Sequence, residues 1–323
     1  MTDPKQLGKA DSSDISVVSP VYRSESLVLR LVEEIRTALK GRSFEIVLVD
    51  DGSPDGSWHR IQEACARFPE VRGVLLSRNF GQHYAISAGL RLSRGQNIVV
   101  MDCDLQDRPS EIPRLLAKAK EGYDVIQARR TVRSDGFWKK FGSACFYRLL
   151  EYLTGFPQDP SIANFGVYSR KVVDAINDLP ESIRYFPTMV RWVGFSRVSV
   201  DVEHQKRPAG RTSYRFSKLL HLALDICLAN SDKPLRLVVM VGFLISGIGF
   251  LFAFFVGWQA FQGKIQVLGY ASLMVSLWSL SGLTILIVGV VGLYVGKSFE
   301  GIKRRPPFIV AQRINFEPLV PDA

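Results

Sequence analysis

Apolar residues fall into two regimes along this chain. Through the first ~130 residues, short apolar runs alternate with segments in which apolar residues recur every three to four positions. Ile15–Pro20, Phe44–Asp50, Val71–Leu76, Asn97–Asp102 and Tyr123–Ala128 read as buried strands. Ser24–Lys40, Ser57–Phe68, Gln82–Ser93 and Ser110–Glu121 read as helices; in the first, Leu27, Leu31, Ile35 and Leu39 share one face. Such alternation predicts an α/β domain with a largely parallel sheet and helices on both faces. Ligands of such sheets bind beyond the carboxyl ends of the strands. At those ends stand Pro20–Glu25, Asp50–Asp51, Asp102–Gln106 and Arg129–Arg133.

After Lys233 the pattern changes. No charged residue lies between Arg236 and Lys264, and none between Lys264 and Lys297. Each run exceeds the ~20 residues that cross a bilayer as a helix. Gly263 and Gly269 bracket the connection, so a transmembrane hairpin is expected, with spans near 237–261 and 270–296. Phe137–Leu153 and Phe216–Cys227 read equally well as packed helices or as helices lying in a membrane interface. The expected boundaries are a disordered tail over 1–14, an α/β domain over 15–215, an interfacial helix and linker over 216–233, the hairpin over 234–297 and a basic tail over 298–323.

Charge sharpens this picture. Lys and Arg number 41 against 31 Asp and Glu, a formal net charge of +10. Basic residues cluster at Arg129–Arg133, Lys206–Lys218 and Lys297–Arg305, and the last two clusters flank the apolar runs. That placement favours a membrane surface and phosphate-bearing substrates over nucleic acid, and no zinc finger or aromatic-rich RNA-binding segment is visible. Only Lys264 lies in the hairpin connection. The positive-inside rule therefore puts both termini and the α/β domain in the cytoplasm, on a multi-pass protein of the inner (plasma) membrane. Cys65, Cys103, Cys145 and Cys227 are scattered and read as reduced thiols.

The strongest chemical signal is Asp102-Cys103-Asp104-Leu105-Gln106, directly after a strand. Carboxylates at i and i+2 with an amide oxygen at i+4 can converge on one hard cation, Mg²⁺ or Mn²⁺, that shares its shell with substrate phosphates. The plain alternative is an acidic turn. Asp50-Asp51-Gly52-Ser53 is the second signal. A carboxylate there can accept from a base N–H or a ribose hydroxyl; taken alone the motif reads better as a simple Asp-Gly turn, and the neighbouring sites favour the functional reading.

These motifs resemble the family 2, GT-A fold glycosyltransferases, and most closely their polyprenyl-phosphate branch. The matching residues include Pro20-Val21-Tyr22, Val49–Ser53, Leu76–Gln82, Ser87–Leu90, Asp102–Asp107, Ser169–Val173, Arg207–Gly210 with Tyr214, and Gly292 through Arg305-Pro306. The resemblance implies a Rossmann-like nucleotide-diphospho-sugar transferase domain followed by the two-helix hairpin. It implies that Pro20, Tyr22, Glu25, Asp50, Asp51 and Asp102 border the nucleotide sugar, and that Asp102, Asp104 and Gln106 hold the metal. Arg129, Arg133, Arg207, Arg211, Thr212 and Tyr214 would meet the acceptor phosphate, with Asp102, Asp104, Arg129 and Arg207 carrying catalysis. The family Glu normally follows Asn just after the tyrosine; here Arg23-Ser24 intervene and Glu25 stands one place later.

The implied reaction is an inverting transfer from a nucleotide-diphosphate sugar, UDP-linked by expectation, to undecaprenyl phosphate or a similar polyprenyl phosphate. The product is a lipid-linked sugar for modifying cell-envelope glycans. A phosphomonoester is largely dianionic at neutral pH, with a second pKa near ~6, so this acceptor needs no general base. A glycan hydroxyl acceptor would need one, for which Asp159 is the candidate. Other readings are a nucleotidyltransferase, which the glycine-free Pro20–Glu25 disfavours, and an inactive membrane scaffold, which the intact Asp102–Gln106 disfavours. Homo-oligomerisation is left open.

Overall fold

A computed structural model describes residues 14–130, 162–180, 184–202, 233–262, 269–303 and 305–316. Arg133, Asp159, Arg207, Arg211, Thr212 and Tyr214, together with the segments Phe137–Leu153 and Phe216–Cys227, lie outside the described residues.

The chain divides into two compact units, one built on a sheet and one on two long helices. In the first unit β1 (Ile15–Val21), β2 (Phe44–Asp50), β3 (Val71–Leu76) and β4 (Asn97–Val100) are linked by α1 (Val28–Ala38), α2 (Ser57–Arg67) and α3 (Gln82–Leu92). A short 3₁₀ turn and α4 (Ile112–Ala119) lead to β5 (Val125–Arg130). Further along come β6 (Ile162–Ser169), α5 (Arg170–Asn177), α6 (Phe186–Trp192) and β7 (Arg197–Val202). The second unit holds α7 (Lys233–Phe261) and α8 (Tyr270–Ile302), and β8 (Val310–Ile314) follows.

The central strands are apolar at nearly every position because both faces are covered. Alternate residues enter opposite cores. Val17, Ile46, Leu48 and Val99 pack with α1, α2 and α4. Val18, Val47, Val49, Ile98 and Val100 pack with α3, α5 and α6.

The sheet order is β7-β5-β6-β4-β1-β2-β3-β8. All five predicted strands, and β7, run one way; β6 and β8 run against them. The sheet is therefore mixed. From β1 the chain builds outward to β2 and β3, then returns through α3 to place β4 on the other side of β1. Right-handed crossovers put α3 on the opposite face from α1 and α2. The reversal opens a crevice between the carboxyl ends of β1 and β4, the usual ligand site of such sheets.

The basic tail expected over 298–323 carries regular structure in part. α8 continues to Ile302, and β8 pairs antiparallel with β3, Gly73 with Ile314 and Leu76 with Val310. It covers what would otherwise be an open sheet edge. Asn315, at φ 63°, donates through Nδ2 to the carbonyls of Cys65 (2.9 Å) and Val71 (2.8 Å), fastening the strand's end. The α/β unit thus includes residues after the two long helices as well as those before them.

α7 has 29 residues and α8 has 33. Gly242 of α7 comes within 4.0 Å of Ile287 of α8, measured from where a Cβ would stand. Leu244, Leu251, Phe254, Ile285, Val288 and Leu293 are more than half exposed. The described side chains alone form no stretch long and apolar enough to cross a membrane. In sequence, α7 carries no charge from Leu237 to Phe261 and α8 none from Tyr270 to Gly296.

Candidate active site

The turn after β4 sorts its residues by burial. Cys103, Leu105 and Asp107 are buried, whereas Asp102, Asp104 and Gln106 are partly open. The three candidate ligands therefore share the open side. Leu105 sits at φ 56°, a left-handed conformation that costs roughly 1 kcal/mol or more outside glycine. Burial of its side chain in the core offsets that cost. Asp104 Oδ1 accepts the Gln106 N–H at 3.1 Å, closing the turn. Burial pushes the Cys103 thiol up to about 12, so it stays protonated between the two carboxylates.

Among the described residues no group of three or more His, Cys, Asp and Glu is placed to hold a metal by itself. Two carboxylates and an amide form a hard, incomplete oxygen set. Such a set suits a Mg²⁺-like ion that completes its shell with water and substrate phosphate.

The loop after β1 neighbours this turn, where Ser24 pulls the Cys103 thiol pKa down slightly against the larger effect of burial. Pro20 is buried inside β1, opposite Val49. Tyr22 lies beyond the strand end, 43% exposed, with the Arg23 guanidinium 5.5 Å from its ring centroid. Arg23 is the second left-handed residue at the crevice, at φ 51°. Glu25 has another occupation: it accepts from Gly56 N at 3.2 Å at the start of α2 and lies 3.8 Å from Arg60 Nε. A carboxylate is favourable at a helix N-terminus.

The two aspartates after β2 differ. Asp50 is fully buried; Oδ1 accepts from Ser53 N at 2.7 Å, while Oδ2 is enclosed with no hydrogen-bond partner among the described residues. Burial raises its pKa. Both oxygens of Asp51 are engaged, by Phe80 N at 2.7 Å and Gly81 N at 2.9 Å. Burial raises its pKa too, against these two donors. Asp51 thus anchors the loop after β3. Gly52, at φ 64°, allows that approach: a Cβ there would stand 2.6 Å from the Arg78 carbonyl carbon.

Arg129, next to last in β5, is in register with Asp201 of β7, and its Nε donates to Asp201 Oδ1 at 2.6 Å. That bond holds the Asp201 carboxyl below its usual range. Two residues to which the sequence assigned no role join the site here: Asp201 beside Arg129, and Gln82, the last residue of the Leu76–Gln82 match, which donates to Asp102 Oδ1 at 2.6 Å. Gln82 had a local signal, since it follows Gly81 where a helix begins. Asp201 had none, because strand register across 72 residues brings it in.

A doubly wound sheet with an acidic turn at its switch point defines a nucleotide-binding α/β protein of the GT-A type. The model of the glycosyl transferase family 2 domain matches residues 16–176. An uncharacterized glycosyltransferase, YkcC, of Bacillus subtilis is 36% identical over 94% of both chains. The undecaprenyl-phosphate 4-deoxy-4-formamido-L-arabinose transferase of Pseudomonas paraeruginosa is 35% identical over 94% of this chain and 91% of its own. Among solved structures, glucosyl-3-phosphoglycerate synthase of Mycobacterium tuberculosis, in complex with Mn²⁺, uridine diphosphate and phosphoglyceric acid, covers 67% of this chain and 77% of its own. It matches at a TM-score of 0.51 and 18% identity. The chain belongs to glycosyl transferase family 2 and is a glycosyltransferase.

Proposed function

We propose that the protein transfers a sugar, with inversion, from a nucleotide-diphosphate sugar to a membrane polyprenyl phosphate, in the most specific form from a UDP-sugar to undecaprenyl phosphate. One observation carries the reading. The sheet whose crevice presents Asp102, Asp104 and Gln106 also receives the chain on both sides of the apolar helix pair, at β7 before it and at β8 after it. A chain that leaves and rejoins one folded unit crosses a membrane an even number of times. α7 and α8 then form the hairpin, with the α/β unit and both termini on the Lys- and Arg-rich cytoplasmic side of the inner membrane. The exposed apolar side chains of both helices support a lipid surrounding, since water tolerates few such patches. The name of the Pseudomonas relative supports the acceptor.

Asp102, Asp104 and Gln106 hold Mg²⁺ or Mn²⁺ in this reading. The ion would supply Lewis-acid stabilisation to the departing diphosphate. Asp50 Oδ2, buried and lacking a donor, suits a base N–H or a ribose hydroxyl, and the exposed Tyr22 ring suits the face of a base. Arg129 offsets repulsion between the two anionic substrates, because a guanidinium stays charged and can grip phosphate through two N–H groups. Arg133, Arg207, Arg211, Thr212 and Tyr214 are proposed from resemblance for the same acceptor region. The acceptor phosphate attacks as a dianion, so no side chain is needed to remove a proton.

The test offers UDP- and GDP-sugars, with Mn²⁺, to the purified full-length protein with and without undecaprenyl phosphate. The expected product is a lipid-phosphate-linked sugar formed only when the lipid is present. Transfer to a free glycan hydroxyl in its absence, lost in Asp159→Asn, would replace this reading with base-catalysed glycan synthesis.

A further inference from the structure

We propose that Gln82 is a positioning residue for Asp102, acting on capture of the cation and nucleotide and not on the lipid acceptor. This rests on the reading of Asp102, Asp104 and Gln106 as the cation site.

A carboxylate on a short turn rotates through a broad range about its terminal torsion. The 2.6 Å bond from Gln82 Nε2 to Asp102 Oδ1 removes that freedom from another element of the fold. Orientation of a metal-binding carboxylate by a hydrogen-bonded neighbour is a general way of tuning affinity.

Gln82 is itself held firmly. It is the first residue of α3. Immediately before it, the N–H groups of Phe80 and Gly81 donate to Asp51. Further along α3, Gly89 lies so near β1 that a Cβ would run into Val18. A continuous set of contacts therefore runs from Asp51 at the end of β2, through the loop after β3, to Asp102 at the end of β4.

The residue type suits the task. A neutral amide donates to Asp102 without adding charge. A lysine would neutralise Asp102 and repel the cation, and a glutamate would repel Asp102. If the bond only stabilised the fold, removing it would lower the unfolding midpoint and leave cation affinity alone.

The test titrates Mn²⁺, with UDP present, into full-length protein in detergent and follows free Mn²⁺ by electron paramagnetic resonance. Gln82→Met keeps the length of the side chain and removes the donor. The expected result is about tenfold weaker Mn²⁺ binding. The KM for undecaprenyl phosphate and the unfolding midpoint without metal should stay unchanged, and excess Mn²⁺ should restore turnover. Gln82→Asn, one methylene shorter, should weaken Mn²⁺ in the same way and serves if the methionine variant folds poorly. Asp104→Ala separates the two levels of the argument. If it abolishes Mn²⁺ binding while both Gln82 variants bind normally, the positioning role is wrong and the cation site stands. If Asp104→Ala also binds normally, the cation site is wrong and the role of Gln82 falls with it.

Discussion

At the amino-terminal ends of the strands, Glu45 is only 1% exposed and surrounded by partners. Ser16 Oγ and Arg94 N donate to Oε1 at 2.5 and 2.6 Å, and Arg72 Nη1 forms an ion pair with Oε2 at 2.7 Å without hydrogen-bond alignment. Ser16 Oγ in turn accepts from Gly95 N at 2.7 Å, so one carboxylate ties β1, β2, β3 and the approach to β4 together. At the carboxyl ends Asp102 and Asp104 stay partly open, and Asp50 keeps a buried oxygen without a partner among the described residues. One end closes its charges inside the protein and stabilises it. The other keeps acceptor capacity for something outside, and its two left-handed residues, Arg23 and Leu105, show backbone strain held at the same place.

Four substitutions test this contrast. Asp104→Ala should have the largest effect: turnover falls at least ~100-fold, while the thermal midpoint stays within ~2 °C, because the residue lies on the open side of its turn. Steady-state kinetics and melting of the purified variant check both halves, and near-normal turnover at ordinary metal concentration would end the contrast.

Glu45→Ala should reverse that profile. It leaves Arg72 and the Ser16 and Arg94 donors without their carboxylate, which should cost about 3 kcal/mol or more of stability. The protein that remains folded should bind Mn²⁺ and UDP normally. Urea unfolding alongside nucleotide titration separates the two.

Asp51→Ala should fall between them, because Asp51 lies at the open end and yet works as an internal anchor. Stranding the Phe80 and Gly81 N–H groups should cost about 1–3 kcal/mol. Since the same loop leads into Gln82, Mn²⁺ affinity should drop as well. Loss of stability with unchanged affinity would show that the loop and Asp102 are independent.

The smallest effect is one of pH. His83 is half-buried, its Nδ1 is enclosed without a partner among the described residues, and burial pushes the imidazole pKa down to about 4. As pH falls from about 6.5 toward 4 the unfolded chain takes up this proton first, so the folded state loses stability across that window and keeps it fully above. His83→Phe, which can still meet Tyr185 edge-on as His83 does at 4.6 Å, should flatten that slope. Unfolding midpoints at pH 7 and pH 5 that fall equally in both proteins would contradict the assignment.

Local pattern was enough for the α/β unit's first five strands, because a strand buried on both faces must be apolar along its length, and that is visible within six or seven residues. It was enough to single out Asp102, Asp104 and Gln106, which alternate with the buried Cys103 and Leu105 and all stay partly open. It also located the two charge-free runs, which α7 and α8 occupy as helices. Tertiary structure decided the rest. β8, Val-Ala-Gln-Arg-Ile, carries no marked apolar run and is a strand because β3 offers it an open edge 234 or more residues earlier. Asp50 and Asp51 are adjacent and chemically identical, and only the arrival of Phe80 and Gly81 separates an anchored carboxylate from one with an oxygen to offer. Gln82 meets Asp102, and Arg129 meets Asp201, because strand order and register bring distant positions together. Periodicity reports which face of an element is buried; it carries no information about which distant residue is packed against it.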